Sequence, residues 1–405
     1  MTTLTLREWS STAAVPLARG QVDGLRTVFK ATVQPASGRD GCYDVSTAGT
    51  VGAAQFGDLS VVVVPKLPIT RLLFLLGYAA DPSFGPNDAE LDTRPELVGG
   101  VIRLFTMLAE RAMRGGVLRG YRTIDAELPT VRGRIDLAEQ LRRRPGMQLP
   151  LSVRFQEHDE NIVENQLLLA ATTMLQRVAT HDRTARRLLH RIRELLQNVD
   201  SVHYPPAGVP IVTWTRLNQH LRPAVELARL LVQMQSPEVA AGTTRTPGLT
   251  IDMAVLFEAF VRTAMREALG VDDHRFPTGK QCPLLWLDEH HHIRLEPDLS
   301  YWTGATCTFI GDVKYKRDTG PGHNDDLYQL LAYATAARLP EATLIYALGP
   351  STPRTHTVPG PSVRLRIEHL DLSVPPTALL SQLARIARRV PAGPPGTAPM
   401  SLAAR

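Results

Sequence analysis

Cysteine is scarce in this sequence of 405 residues, and its three cysteines, Cys42, Cys282 and Cys307, are isolated from one another. Isolated cysteines provide neither the CxxC pairs of structural zinc sites nor the clusters of iron–sulfur centres. They also provide no disulfide framework, which favours a reducing compartment. We therefore expect a cytoplasmic chain that holds no sulfur-ligated metal.

Long apolar runs and two well-known motifs are missing as well. No stretch approaches the ~18 uninterrupted apolar residues of a membrane span. The segment MTTLTLREWSS lacks the basic region and apolar core of a secretory signal. The P-loop pattern GxxxxGK(S/T) does not occur. These absences predict no membrane association and no nucleotide bound in a P-loop of this chain.

Lysine occurs at only five positions, so 40 of the 45 basic residues are arginine. The formal net charge is +5 and the sequence pI is about 9.2, which favours a polyanionic partner such as nucleic acid. Two of the five lysines, Lys314 and Lys316, stand together in the segment DVKYK. In a chain that prefers arginine so strongly, a retained lysine indicates a position that needs a compact ammonium group.

The N-terminal half divides into two predicted regions. Residues 1–95 are predicted to be β-rich, with strands over LTLREW, GLRTVFKATVQ, CYDVSTAGTVGAAQF and LSVVVVPKL, followed by the short helix TRLLFLLGYAA. Residues 96–235 are predicted to be a mixed helical region with arginine-rich strands. ENQLLLAATTMLQRVA and RTARRLLHRIRELLQNV have the apolar spacing of amphipathic helices.

The C-terminal half begins after a turn-rich linker, residues 236–250. Residues 251–375 are predicted to be an α/β domain, and residues 390–405, rich in Pro, Gly and Ala, a disordered tail. MAVLFEAFVRTAMREALG predicts a helix, PLLWLDEHHHIRLEPDLSYW a β-hairpin and CTFIGDVKYK a third strand. The helix DDLYQLLAYATAARL and the strands ATLIYALGP and VRLRIEHLDL complete an α/β order around one sheet.

The segment PDLSYWTGATCTFIGDVKYK carries the chemistry that we predict. Asp298 lies at the end of one strand, and Asp312 and Lys314 lie two residues apart on the next, so the latter two share a face. Two converging carboxylates suit Mg²⁺, or Mn²⁺ as an alternative, completed by waters and a substrate phosphate. The backbone carbonyl of Val313 is a further candidate ligand. Lys314 is predicted to orient the attacking water and offset negative charge on the phosphate.

Three residues on flanking helices extend this candidate site. Glu258 in LFEAFV lies near the edge of an apolar helix stripe, from which it can reach the sheet as a further acid or metal ligand. Gln329 and Tyr333 lie four residues apart on the next helix and therefore share a face. They are candidates for holding the DNA backbone and fixing the lysine. A lone DxK is also compatible with a simple ion pair at a strand end, and only the full set favours a nuclease.

The arginine-rich stretch 111–144 leaves two interpretations open. It can be a DNA track, or a solvated surface whose arginines pair with the interspersed acids. Arg132 and Arg134 in VRGR are the better candidates for contact with DNA or a partner protein, because alternate strand positions share a face.

The order of these motifs resembles the PD-(D/E)XK nuclease superfamily, and several segments narrow the resemblance to the McrC family, the nuclease subunits of McrBC-type modification-dependent restriction systems. The segments are VVVVPKLPITRLLFLLGYA, VRGRIDLAEQL, FQEHDENIVENQLLLAA, LFEAFV, PDLSYW and GDVKYK. The resemblance implies a C-terminal restriction-endonuclease-like domain behind a β-rich and helical region. It also implies Mg²⁺-dependent catalysis by Asp298, Asp312 and Lys314, with Glu258, Gln329 and Tyr333 assisting.

The resemblance further implies partners. McrC-like proteins work with a McrB-like AAA+ GTPase, so GTP would enter only through that partner, docked on residues 1–95. The substrate would be double-stranded DNA with a modified cytosine, 5-methylcytosine in particular, and cutting both strands favours a dimer through the nuclease region. Two rival hypotheses remain: a stand-alone repair or recombination nuclease, and a non-catalytic scaffold that activates the AAA+ partner.

Overall fold

The computed structural model describes residues 2–85, 88, 96–143, 145–146, 149–178, 182–235, 240–241, 244–245, 248–283, 285–317, 324–349, 352–360 and 362–391. These residues form two compact units. The first unit joins Met1–Glu96 to Ser236–Thr246 and Thr250–Arg405, and the second comprises Leu97–Gln235 and Pro247–Leu249. The predicted segments 1–95 and 251–375 thus lie in the same unit. The functions predicted for these segments, partner docking for 1–95 and nuclease activity for 251–375, stay predictions.

The N-terminal part of the first unit contains two small sheets. Its elements are β1 (Thr2–Arg7), β2 (Ser11–Pro16), α1 (Arg19–Phe29), β3 (Thr32–Pro35), β4 (Cys42–Ser46), β5 (Thr50–Phe56), β6 (Leu59–Val64) and α2 (Ile69–Ala80). Strand β1 pairs parallel with β6, and β5 pairs antiparallel with β6. Strands β2, β4 and β3 form the other sheet, in that order.

The strand predicted over GLRTVFKATVQ is wrong for most of its length, because its first residues belong to helix α1. The buried side chains of α1 include Val22, Leu25 and Phe29, which recur at the three- to four-residue spacing of one helix face. The β-branched residues of this segment favour a strand locally, but burial of the helical stripe outweighs that preference. The helix ends at Lys30, whose left-handed backbone (φ 53°) leads into β3.

The second unit combines helices with one three-stranded sheet. Its elements are α3 (Leu97–Ala112), β7 (Gly120–Leu128), β8 (Arg134–Ile135), α4 (Leu137–Arg143), β9 (Leu151–Asp159), α5 (Val163–Arg177), α6 (Arg183–Leu195) and α7 (Arg222–Gln233). Helices α3 and α5 each contact both α6 and α7. The two amphipathic helices predicted from ENQLLLAATTMLQRVA and RTARRLLHRIRELLQNV are confirmed as α5 and α6.

Part of the predicted linker is described, and it contains β10 (Ala240–Ala241), β11 (Thr244–Arg245) and the first residues of β12 (Gly248–Asp252). Strands β10 and β11 pair with each other, and β12 is the fourth strand of the sheet ordered β1, β6, β5 and β12. The other linker residues lie outside the described residues. So does nearly all of the predicted tail 390–405, of which only 390 and 391 are described.

The C-terminal part of the first unit is built on a five-stranded sheet. Its elements are α8 (Met253–Leu269), β13 (Leu285–Trp286), β14 (Arg294–Leu295), β15 (Leu299–Thr303), β16 (Thr306–Arg317), α9 (Asn324–Ala336), β17 (Glu341–Leu348), β18 (Arg354–Val358), β19 (Val363–His369) and α10 (Pro376–Ala387). The strand order is β15, β16, β17, β19 and β18. The three central strands run parallel, and both edge strands pair antiparallel.

Helices cover both faces of this sheet. On one face, Leu330 and Tyr333 of α9 join Ile310, Leu344 and other sheet residues in one apolar cluster. On the other face, α8 packs against β16, and α2 and α10 pack against α8. The predicted helix MAVLFEAFVRTAMREALG is confirmed, and it ends at Gly270 in the left-handed conformation (φ 64°).

The single hairpin predicted over PLLWLDEHHHIRLEPDLSYW is wrong. Only β13 and β14 pair as a hairpin, whereas β15 joins the five-stranded sheet instead. Pro297 lies between β14 and β15. Because proline has no backbone N–H to donate to a neighbouring strand, the pairing of β13 with β14 ends before the pairing of β15 with β16 begins. Strand β18 and helix α10 were not predicted from the sequence.

Gly311 allows the two central strands to approach each other closely. A Cβ built on Gly311 would lie 2.8 Å from the carbonyl oxygen of Thr343 on β17. Because that oxygen belongs to a paired strand, it cannot rotate away as a side chain can. Glycine is therefore required immediately before Asp312.

We predict that Gly311→Ala lowers the free energy of unfolding by about 1–3 kcal/mol, the usual cost of overpacking. The measurement is the midpoint of urea unfolding. Gly99→Ala on α3 is the control, because its added Cβ would meet nothing within 4 Å and alanine stabilises a helix by roughly 0.5–1 kcal/mol over glycine. Equal stability of Gly311→Ala and the wild type would contradict the close approach.

Candidate active site

The pairing register of β15 with β16 decides which side chains meet. Leu299 pairs with Gly311 and Ser300 with Ile310, so one further step of this register sets Asp298 opposite Asp312. Directly opposed residues of an antiparallel pair point to the same face. Lys314 is two residues from Asp312 and shares that face as well. The structure thus brings the three predicted residues to one face of the sheet.

Two short contacts fix this group. The Nζ of Lys314 lies 2.7 Å from Oδ2 of Asp312. The backbone N–H of Val313 donates to Oδ2 of Asp298, with an N···O distance of 2.9 Å. Asp312 is buried, whereas the Lys314 side chain is 25% exposed. The group therefore combines a buried acid with a cation that solvent and a substrate can reach.

Burial raises the pKa of both carboxyl groups. For Asp298, desolvation is the main cause and the negative charge of Asp312 adds to it. For Asp312, desolvation outweighs the opposing effect of the Lys314 ammonium. Burial disfavours the charge of Lys314, but Asp312, Asp298 and Asp326 outweigh it and raise the pKa of that ammonium. The protein alone therefore does not fully compensate two charged carboxylates at this position.

The two oxygens of Asp312 suit a hard cation. Both are buried, and neither accepts a hydrogen bond of acceptable geometry from the described residues, although the Lys314 ammonium is near one of them. Buried carboxylate oxygens without donors are the ligands that Mg²⁺ and Mn²⁺ prefer. Asp312 and Asp298 therefore fit a divalent ion, which the carbonyl of Val313 remains a candidate to complete.

Glu258 is not part of this contact group. Its carboxylate forms an ion pair with Arg262, four residues along α8. Burial raises its pKa, the Arg262 charge lowers it, and the charge of Asp298 raises it further. Among the residues that the structure describes, no group of three or more His, Cys, Asp or Glu side chains is arranged to hold a metal. A role of Glu258 as a metal ligand would use its other carboxylate oxygen, Oε2, because Oε1 pairs with Arg262.

Gln329 and Tyr333 lie close to the carboxylate pair. The Nε2 of Gln329 donates to the Tyr333 hydroxyl at 2.7 Å, and that hydroxyl donates to the carbonyl of Glu296 at 3.4 Å. Burial raises the pKa of Tyr333 to about 12, and the negative charges of Asp312 and Asp298 add to the shift. The tyrosine therefore stays protonated at neutral pH, and the Glu296 carbonyl accepts its one proton.

Sequence reasoning missed Asp326, which lies on α9 three residues before Gln329. Its side chain is 8% exposed, and its Oδ2 lies 2.8 Å from Nζ of Lys316 and accepts a hydrogen bond from the hydroxyl of Tyr346 at 2.6 Å. Asp326, Gln329 and Tyr333 have i, i+3 and i+7 spacing, so a helical wheel places all three on one face. That spacing was visible in the sequence.

The arginine-rich stretch of the second unit is extensively ion-paired. Arg132 lies 3.1 Å from Glu157 and 4.0 Å above the ring of Phe155. Arg122 pairs with Asp159 at 3.0 Å, and Arg142 and Arg143 pair with Glu139. These contacts favour the interpretation as a solvated surface for those arginines. Arg134 is exposed and stays a candidate for contact with DNA or a partner.

Comparison with models of known protein families gives a match to this chain. A family model described as a McrBC 5-methylcytosine restriction system component matches residues 45–347. The chain belongs to this family. The match to the McrBC family begins at residue 45, within β4. It includes Asp298, Asp312, Lys314, Gln329 and Tyr333. No curated protein matches the chain.

One solved structure is similar to this chain in fold. One chain of a Thermococcus gammatolerans complex, described as a refined half-complex from a tetradecameric assembly of McrB AAA+ hexamers with bound McrC, matches with a TM-score of 0.50 and 18% identity, over 96% of this chain and 100% of that chain. A second Thermococcus gammatolerans McrBC structure matches with a TM-score of 0.42 and 22% identity, over 66% of this chain and 88% of that chain. In the described part of the McrBC-family chain, no helix is long and apolar enough to cross a membrane.

We predict that Asp298→Asn stabilises the metal-free protein at pH 8. Raised pKa values mean that the folded state holds protons which the unfolded state loses above about pH 4, so these two aspartates reduce stability as the pH rises through their folded pKa values. Asparagine removes one of the two repelling charges and can still accept the Val313 hydrogen bond. We expect Tm to rise by about 2–4 °C, the equivalent of roughly 1 kcal/mol.

Thermal unfolding in EDTA at pH 5 and pH 8 measures this effect. The increase in Tm should be larger at pH 8, because the higher pH favours ionisation of both wild-type carboxyl groups. Asp325→Asn is the matched control, because Asp325 is exposed on α9 and should leave Tm unchanged at both values. A loss of stability at pH 8 with Asp298→Asn would refute the repulsion between the two carboxylates.

Proposed function

We propose that this chain is the Mg²⁺-dependent DNA endonuclease subunit of a McrBC-like restriction system. It hydrolyses phosphodiester bonds of double-stranded DNA that carries 5-methylcytosine, and a GTP-hydrolysing AAA+ partner drives it. Mn²⁺ is the alternative ion. The observation that supports the proposal is the convergence of Asp298, Asp312 and Lys314 on one sheet face, in the order that a PD-(D/E)XK nuclease uses.

Each residue of the group has a defined task in this proposal. Asp298 and Asp312 would hold the divalent ion through their carboxylate oxygens, and both oxygens of Asp312 are buried and lack a hydrogen-bond donor among the described residues. The bound ion supplies Lewis-acid polarisation of the scissile phosphate. Lys314 orients the attacking water and offsets negative charge that grows on the phosphate oxygens. Gln329, which is exposed and donates to the Tyr333 hydroxyl, holds the DNA backbone together with Tyr333, whose hydroxyl would exchange its hydrogen bond to Glu296 for one to the DNA.

The partner in this proposal is a McrB-like AAA+ GTPase. The similar solved complex is described as McrB AAA+ hexamers with bound McrC, and the present chain has no P-loop pattern of its own. GTP would therefore be bound and hydrolysed by the partner alone. Because the nuclease face contacts phosphates, which carry no sequence information, recognition of the modified base also belongs to the partner.

We predict that Asp312→Ala and Lys314→Ala each reduce DNA cleavage by at least about 10²-fold, the usual scale for loss of one electrostatic catalytic group. The assay combines the chain with its McrB-like partner, GTP, Mg²⁺ and methylated plasmid. Stimulation of the partner's GTPase should stay at the wild-type level, because neither change touches residues 1–95. Asp325→Ala removes an exposed acid from the same unit and should cleave normally.

The same assay separates the rival hypotheses. Cleavage by the wild-type chain without the partner or GTP would favour a stand-alone nuclease. Wild-type stimulation of the GTPase with no cleavage of any DNA would favour a scaffold. Full cleavage by both Asp312→Ala and Lys314→Ala would refute the assignment of the active site.

A further inference from the structure

Lys316 is the second lysine of DVKYK, and the tasks assigned above do not include it. Its ammonium lies 2.8 Å from Oδ2 of Asp326, and its side chain is 32% exposed. The contact with α9 shows that Lys316 lies on the same sheet face as Asp312 and Lys314, two residues further along β16. A cation is therefore held beside the candidate active site.

The carboxylate that holds Lys316 is itself fixed. Asp326 is buried and accepts a hydrogen bond from the Tyr346 hydroxyl at 2.6 Å. Tyr346 is fully buried on β17, where it is the register partner of Lys314. Asp326 is thus anchored to the strand next to the one that carries both lysines. The arrangement restricts where the Lys316 ammonium can lie.

The ammonium of Lys316 retains capacity for a further acceptor. A lysine has three N–H donors and no acceptor, and Asp326 is the partner that the described residues give it. Because the Lys316 side chain is one-third exposed, an anion that approaches from solvent can reach the ammonium. In a chain in which 40 of 45 basic residues are arginine, a lysine here indicates a point contact with an anion rather than planar, bidentate recognition.

We propose that Lys316 binds a DNA phosphate next to the scissile one, and that Asp326, anchored by Tyr346, positions the lysine for that contact. This inference rests on the proposed nuclease function, because it takes DNA as the anion. Phosphates recur along each strand at regular intervals, so two cations spaced two residues apart on β16 can engage successive phosphates. The contact would be independent of sequence.

The alternative is that Lys316 is only the counter-ion of a buried carboxylate. Removing the lysine alone would leave Asp326 without its positive partner and would destabilise the fold. The informative variant is therefore the double substitution Lys316→Gln with Asp326→Asn, which removes both charges together. Thermal unfolding should give a Tm close to the wild-type value.

Binding of duplex DNA, measured by fluorescence anisotropy in EDTA over a range of salt concentrations, tests the proposal without any cleavage. Loss of one phosphate contact should reduce the slope of log K against log salt by about 0.9. The reduction should be equal for methylated and unmethylated DNA. Arg385→Gln, which removes one exposed positive charge from α10, should leave the slope unchanged.

Two results would overturn the proposal: a double variant that binds with the wild-type slope, or a wild-type chain that shows no salt-dependent DNA binding. Cleavage gives a second readout, in which the double variant should raise KM for DNA and largely retain kcat. If the double variant shows the predicted reduction in slope but the wild-type chain cleaves nothing with its partner, the proposed nuclease function fails and the contact of Lys316 with a DNA phosphate stands.

Discussion

The antiparallel pairing of β15 with β16 is the constraint on which the rest of the site depends. It sets Asp298 opposite Asp312, and the two-residue repeat of the strand then adds Lys314 to the same face. A slip of one residue would turn every side chain of one strand to the opposite face and separate the acids. Gly311 supports this register, because it lets β17 approach the strand that carries Asp312.

The cost of this pairing is electrostatic. Two carboxylates that burial would keep neutral are held close together, with one ammonium to compensate them. Such a pair lowers the stability of the metal-free protein. A divalent ion can compensate the negative charge of the two carboxylates. Helix α9 adds a polar row on the same face: Asp326, Gln329 and Tyr333 hold hydroxyl groups and a second lysine in place. The residues proposed to carry out the chemistry therefore reduce the stability of the fold.

The sequence predicted most of the C-terminal sheet and the helices α8 and α9, because these helices have strong apolar periodicity and β16 and β17 are long runs of strand-forming residues. Prediction failed where local preference and burial disagree. The β-branched residues of GLRTVFKATVQ suggested a strand, yet the stripe from Val22 to Phe29 is buried as a helix. It also failed for contacts between distant segments, because nothing local indicates that residues 1–96 share a compact unit with the C-terminal sheet. The i, i+4 spacing of Glu258 and Arg262, by contrast, was visible in the sequence and was overlooked. Asp326 was overlooked although its spacing from Gln329 and Tyr333 was visible.

The proposed function requires that Asp298 and Asp312 together hold one divalent ion. Titration of the purified chain with Mn²⁺, with free ion measured by electron paramagnetic resonance, tests it most directly because it needs neither partner nor DNA. We expect the wild type to bind one Mn²⁺ per chain at pH 8, in competition with Mg²⁺, and we expect Asp298→Asn or Asp312→Asn to abolish that binding. Undiminished binding of Mn²⁺ by both variants would contradict it.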